Sequence, residues 1–267
     1  MSFLVTSDAA YYPGLSHHPC QDYATSEDGV GVVADGCSTA PGTDLGARIL
    51  AHAFLASFKS GLAQQPMAYL NHAHEVLTKL KLDPRCLYAT LLTIEASRTD
   101  FVTIMRGDGI VMGRSRKDGH LKVIIKEYPG GAPFYPAYLL NPEWVSRWQS
   151  MAQPWAVSST YKITPAEVTL VGRHQSTNIP FFDRQRWPYD EYDLVAIGSD
   201  GWQSFRHHHQ NKPISALQLL PEVLAFKGMK GAFLKRRLSR QLRVLEERNT
   251  KASDDLSMVA FYHEDQP

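Results

Sequence analysis

Three aspartates occupy the same kind of position in this chain. Asp35 closes the apolar run VGVVAD and is followed by Gly36; Asp200 follows the apolar run DLVAIGS and is followed by Gly201. Asp254, with Asp255, stands directly before a third apolar run, LSMVAFY. Side chains at strand ends sit on the rim of a sheet, where residues distant in sequence can converge. An oxygen-rich cluster formed this way suits hard divalent cations such as Mg²⁺ and Mn²⁺. A glycine after the aspartate leaves a backbone carbonyl open to serve as a further ligand.

One Asp-Gly pair proves little, because Asp-Gly after a strand is an ordinary turn. Asp108 and Asp118 are also followed by glycine. The weight lies in the ordered set and in the elements that must carry it. Val30 to Ala34 reads as a buried strand meeting a turn at Asp35. Thr43 is placed to cap a helix with apolar positions at Leu45, Ile49, Leu50, Phe54 and Leu55. A second helix is expected from Pro66 to Leu80, with proline in its first turn. An opening strand at Phe3–Thr6 leads to a polar loop with Ser16, His17, His18 and Pro19. Further strands are expected at Cys86–Glu95, Phe101–Arg106, Gly109–Arg114 and His120–Lys126, with hairpin turns at residues 98–100 and 117–119. Tyr128 to Thr160, rich in Pro, Gly and aromatics, reads as an insertion packed on the main body. Strands at Val168–Val171 and Asp193–Gly198 follow, then helices at Ile214–Phe226 and Gly231–Glu247 and a last strand at Leu256–Tyr262. Clustered strands with paired helices favour an antiparallel α+β architecture over alternating βαβ units.

The chain has 267 residues, enough to bury a large core in a single domain spanning 1–267. Its 28 Lys plus Arg nearly balance 27 Asp plus Glu, which gives no electrostatic case for nucleic acid or a membrane surface. Three cysteines without a CxxC pair argue against a disulfide framework or structural zinc. With no signal-peptide pattern and no long apolar stretch, a cytoplasmic protein is expected.

Four segments, in order, resemble the motifs of the protein phosphatase 2C family, in its compact bacterial branch. CQDYATSEDGVGVVADGCS (Cys20–Ser38) is similar to the opening motif, an acidic residue before a strand ending in Asp-Gly. MRGDGIVMGRS (Met105–Ser115) resembles the central motif, with Asp108 at the acidic position and GDG in place of GDS. DLVAIGSDGWQSF (Asp193–Phe205) and SDDLSMVAF (Ser253–Phe261) are similar to the later motifs. The resemblance implies an αββα sandwich of two antiparallel sheets flanked by helix pairs. It implies a phosphorylated protein substrate, phosphoserine or phosphothreonine, hydrolysed by a water held on two Mg²⁺ or Mn²⁺ ions. It also implies roles. Asp35 bridges both ions, the Gly36 carbonyl binds one of them, and Asp200 and Asp254 complete the other's protein ligands. Asp108 with Asp200 matches a weaker third site, and Asp22 holds a metal-bound water from behind.

Two positions depart from that pattern. His17 stands five residues before Asp22, where the family has an arginine that grips phosphate. An imidazolium donates to phosphate but lacks the bidentate fork of a guanidinium. Cys37 stands where eukaryotic members carry a leaving-group histidine. Without the arginine, a catalytically weak binding or sensing module of the same fold is the alternative. A haloacid-dehalogenase-type phosphatase ranks lower, because neither Asp35 nor Asp108 begins a DxD motif. The His207–His209 run reads as surface, since three adjacent residues cannot all face one ion. Lys227 to Lys251 carries nine Lys or Arg against two Glu around the stripe Leu234, Leu238, Leu242 and Leu245. This is an amphipathic helix whose basic face is also a candidate docking surface for acidic phosphoproteins.

Overall fold

The computed structural model describes residues 5–63, 65–151, 153–177 and 182–264. Part of the expected opening strand, Phe3–Leu4, lies outside them. Fifteen strands and five helices follow one another as β1 (Val5–Tyr12), β2 (Asp22–Glu27), β3 (Val30–Asp35), α1 (Thr43–Lys59), α2 (Pro66–Leu80), β4 (Leu91–Ala96), β5 (Asp100–Arg106), β6 (Gly109–Ser115) and β7 (Leu121–Glu127). The order continues with α3 (Pro142–Gln149), β8 (Ala156–Ile163), β9 (Val168–Ser176), β10 (Phe182–Pro188), β11 (Tyr192–Gly198), β12 (Phe205–His207) and β13 (Lys212–Pro213). It ends with α4 (Ala216–Val223), α5 (Phe233–Glu247), β14 (Thr250–Ala252) and β15 (Leu256–His263). One antiparallel sheet has the order β1-β15-β11-β6-β7-β8-β9 and a second the order β10-β5-β4-β3-β2; β13-β12-β14 form a small third sheet.

The central strands are apolar throughout because both of their faces are covered. Val30, Val32 and Ala34 of β3 point to α1 and α2, while Val33 faces the other sheet. In the larger sheet Ile110, Met112, Leu194, Ala196, Met258 and Ala260 pack under α4 and α5. Their alternates Val111, Val195, Ile197, Val259 and Phe261 meet Val33, Leu92, Ile94 and Met105 between the sheets. Period-two alternation between two apolar environments yields uninterrupted hydrophobic runs. The result is the expected α-β-β-α layering.

The local differences have physical causes. Thr43 is the first helical residue and does not cap; Gly42, at φ 63°, precedes it, and the Thr43 hydroxyl donates to the Cys37 carbonyl. Leu45 is exposed, and Ala47, Leu50, Ala51 and Phe54 form the buried face of α1. Residues 84–87 form a 3₁₀ turn, so β4 starts at Leu91, later than expected. Residues 156–160 belong to β8 of the large sheet, whereas 128–155 carry a 3₁₀ turn, α3 and an aromatic cluster of Tyr128, Phe134, Tyr135, Tyr138 and Trp148. On α5, Leu234, Leu238 and Leu245 are buried, with Leu242 packed beside them. Two arginines of its basic face bond to backbone: Arg237 Nε donates to the Glu222 carbonyl in the last turn of α4 (3.0 Å), and Arg236 donates to the Lys230 carbonyl (2.7 Å). Guanidinium groups at helix carbonyl ends satisfy orphan acceptors.

Helix α1 crosses the 84–87 turn at Gly46, where an added Cβ would lie 1.7 Å from the Cys86 carbonyl oxygen. Alanine is the better helix former by about 1 kcal/mol. Gly46→Ala is nevertheless expected to lower stability by about 2 kcal/mol, because backbone must move to admit the methyl. A urea midpoint at or above that of the parent would show that the two segments yield easily.

Candidate metal centre

Antiparallel pairing brings the acidic segments to one end of the sandwich. Asp35 ends β3, directly across the ladder from Asp22 at the start of β2. Asp200 opens a 3₁₀ turn after β11, and Asp254 precedes β15, the neighbour of β11. Asp108 lies in the short link from β5 of one sheet to β6 of the other. That link needs glycine on both sides. Gly107 and Gly109 have φ of 100° and 131°, and a Cβ would lie 2.7 Å from Thr90 Cβ or from the Gly198 carbonyl oxygen respectively. The GDG departure from the family motif therefore has a steric basis.

Asp35, Gly36, Asp108, Asp200, Asp254 and His17 all line one cleft of about 250 Å³. Cys37, Ser38, Thr39 and Thr90 also line it, as do Gly131, Pro133 and Tyr135 of the aromatic segment. Asp22 does not reach the cleft. It is 2% exposed, accepts a hydrogen bond from Ser257 Oγ (2.7 Å), and stands behind Asp35.

The electrostatics are unfavourable for anions. Four carboxylates face the cleft, and no Lys or Arg lines it among the described residues. Burial, then the charges of Asp22 and Asp200, push Asp35 well above the usual carboxylate range. Burial and Asp200 do the same for Asp108, against the field of the buried Lys126, which pairs with Asp183 at 3.0 Å. Burial raises Asp200, and it raises Asp22 to about 7 although serines 199 and 257 hydrogen-bond it. Carboxylates held this way in a dry, like-charged group are ready to exchange protons for cations.

His17 is not turned freely to the cleft. Its Nδ1 lies 3.1 Å from Asp254 Oδ1 and 3.3 Å from Asp255 Oδ2, without hydrogen-bond geometry to either. Asp255 holds the loop that carries this histidine: its carboxylate accepts from the Gly14 amide (2.7 Å) and the Gln21 amide (2.6 Å). Ser204 ties the two acidic turns together, donating to the Gly201 carbonyl (2.7 Å) and accepting from the Asp254 amide (3.1 Å). Sequence reasoning missed three contributors. Asp255 is an anchor, Thr90 places a buried, unpaired Oγ1 at the cleft, and Tyr135 lines the cleft beside Cys37. Only Asp255 carried a signal, its place in the terminal motif.

The donor set of carboxylates, a hydroxyl and an adjacent glycine carbonyl is of the kind chosen by Mg²⁺ and Mn²⁺, which keep several waters and need few protein ligands. Among the described residues no three Asp, Glu, His or Cys side chains form a ready cage around one point. The acidic wall therefore fits ions that complete their shells with water.

Two stacked antiparallel sheets between helix pairs, with acidic strand ends gathered at one end, make an αββα sandwich with an acidic cleft. The chain belongs to the protein phosphatase 2C family, whose sequence profile matches residues 15–243. No curated protein sequence matches it significantly. Among solved structures, the Mycobacterium tuberculosis serine/threonine phosphatase PstP/Ppp is similar with a TM-score of 0.56 at 14% identity, over 98% of this chain and 99% of that one. The catalytic domain of PstP in complex with two manganese ions gives 0.54 at 13% identity, over 99% and 100%. The Staphylococcus aureus serine/threonine phosphatase Stp1 gives 0.53 at 11% identity, over 99% and 96%. These likenesses establish the fold. No helix among the described residues is long and apolar enough to cross a membrane.

Proposed function

We propose that this chain is a phosphoprotein phosphatase that hydrolyses phosphoserine and phosphothreonine with two Mg²⁺ or Mn²⁺ ions, and a weaker third. It acts as one catalytic domain across residues 1–267, with the aromatic segment 128–155 as an insertion that contributes Gly131, Pro133 and Tyr135 to the cleft. The observation that carries this reading is that four carboxylates from separate segments line one cleft lacking Lys and Arg. A phosphate dianion would be repelled from that cleft unless divalent cations reversed its charge.

Asp35 would bridge two ions, with the Gly36 carbonyl on one and Asp200 and Asp254 on the other; Asp108 with Asp200 would hold the third. When bound, the ions lower the pKa of water and neutralise charge during in-line displacement at phosphorus. The chain's own residues orient and exclude. Asp22, steadied by Ser257, fixes the Asp35 carboxylate from behind. His17 sets its Nδ1 edge 3.1 Å from Asp254 Oδ1, at the side of the proposed ligand. Burial pushes the Tyr135 hydroxyl up, so it stays protonated and is a donor for phosphoryl oxygens in the cleft it lines. Cys37 has its sulfur 3.1 Å from Thr39 Oγ1, a hydroxyl too weakly basic to make the thiol a nucleophile.

A second reading, a binding or sensing module with little turnover, is favoured by one observation: among the described residues no guanidinium lines the cleft. Hydrolysis of p-nitrophenyl phosphate separates the two. Stimulation by Mn²⁺ and abolition by chelator are expected of the enzyme. Absence of turnover across Mn²⁺, Mg²⁺ and Co²⁺ would favour the module.

A further inference from the structure

Beside the catalytic cleft lies a second concavity of about 310 Å³, lined by Thr39, Arg85, Tyr88, Tyr138, Trp144 and Arg147 among others. It adjoins the cleft. Thr39 lines both, and the Tyr88 ring stacks on Tyr135 with centroids 5.8 Å apart. The walls are aromatic, with Trp144 and Tyr138 meeting Tyr88 edge-on at 5.3 and 5.1 Å.

Its polar groups differ from those of the cleft. Thr39, Tyr88 and Tyr138 carry hydroxyls, and two guanidinium groups face the same space. Arg85 is clamped to Asp83, with Nη2 to Oδ2 at 2.6 Å, so most of its charge is offset. Arg147 is exposed on α3, forms no ion pair among the described residues, and its field reaches both the Tyr88 and the Tyr138 hydroxyl. The groove thus presents donors and an unpaired positive charge next to a cleft that, among the described residues, has neither lysine nor arginine. Donors around a guanidinium between aromatic faces are complementary to a carboxylate.

We propose that this groove receives an Asp or Glu side chain of the substrate, close in sequence to the phosphorylated residue, and that Arg147 determines this specificity. An extended peptide advances about 3.3 Å per residue, and Thr39, which lines both concavities, marks where a peptide would pass from the cleft to the groove. The proposal rests on the phosphatase reading and names the substrate class for it: acidic phosphopeptides.

The test is a set of phosphothreonine peptides, each with one Glu or one Gln at a neighbouring position, plus one with a second phosphothreonine. Each is assayed with the parent, Arg147→Ala and Arg147→Glu, relative to p-nitrophenyl phosphate. The parent is expected to prefer Glu over Gln at one position by roughly fivefold or more in kcat/KM, mainly through KM. Arg147→Ala should erase that ratio and Arg147→Glu reverse it. Equal treatment of Glu and Gln, preference for the second phosphate alone, or a preference that survives both substitutions would overturn the proposal. If p-nitrophenyl phosphate itself is not hydrolysed, the phosphatase reading has failed, and fluorescence-anisotropy binding of the same peptides decides the groove. An Arg147-dependent Glu preference then supports it, and none overturns it.

Discussion

Asp35→Asn is expected to leave a folded protein whose Mn²⁺-dependent hydrolysis of p-nitrophenyl phosphate falls on the order of a thousandfold or more. Asp35 is the one carboxylate in contact with both Asp22 behind it and Asp200 beside it, at the strand end where the proposed ions meet. Charge neutralisation and water activation by bound metal each supply several kcal/mol, and each 1.36 kcal/mol is a factor of ten in rate. Removing the bridging charge forfeits much of both. Asn keeps the volume and can donate to neighbours that otherwise repel, so the chelator-treated variant should melt no lower than the parent. A variant within tenfold of parental activity would show that Asp35 does not hold the catalytic ions. A variant that fails to fold is replaced by Asp200→Asn, for which the same loss is expected.

The second large effect is a pH-dependent stabilisation by metal. Asp22 rises from 3.8 to about 7 in the fold, and Asp35, Asp108 and Asp200 also rise. The folded state therefore binds more protons than the unfolded chain above pH 3.8, and these groups make stability fall as pH rises through about 7. Mn²⁺ needs the deprotonated carboxylates and removes their repulsion, so its effect should grow over the same interval. The increase in melting temperature on adding Mn²⁺ is expected to be small near about pH 5 and on the order of 5–10 °C near about pH 8. Thermal melts with and without chelator across this range would contradict the account if the increase were independent of pH.

What the sequence revealed follows from periodicity and from chain ends of strands. VGVVAD, GIVMG, DLVAIG and LSMVAF are apolar on both faces because each strand lies between helices and the opposite sheet, so they stand out as runs. Aspartates that end such runs could be placed without knowing the fold. Among the strands that escaped notice, β8 carries Ser158, Ser159 and Thr160, and β10 carries Arg184, Gln185 and Arg186 at a sheet edge, so neither shows this pattern. Helix α3 is only eight residues long, with Trp148 its one buried residue. The His17 orientation was illegible for a different reason. It is set by Asp255 gripping the Gly14 and Gln21 amides, contacts more than two hundred residues apart in sequence. Thr90 and Tyr135 reach the cleft from non-periodic segments, where neighbouring residues carry no directional signal.

The Arg147 groove adds a division of labour. The cleft supplies acidic ligands for cations, and the adjoining aromatic segment supplies the positive charge that selects the polypeptide around the phosphate.

The most direct measurement is anomalous diffraction from Mn²⁺-soaked crystals at the manganese edge. The account predicts two peaks about 3.5–4 Å apart, both in bonding contact with Asp35, one also with the Gly36 carbonyl and the other with Asp200 and Asp254. Peaks at other surfaces only, or an empty cleft at saturating Mn²⁺, would contradict it.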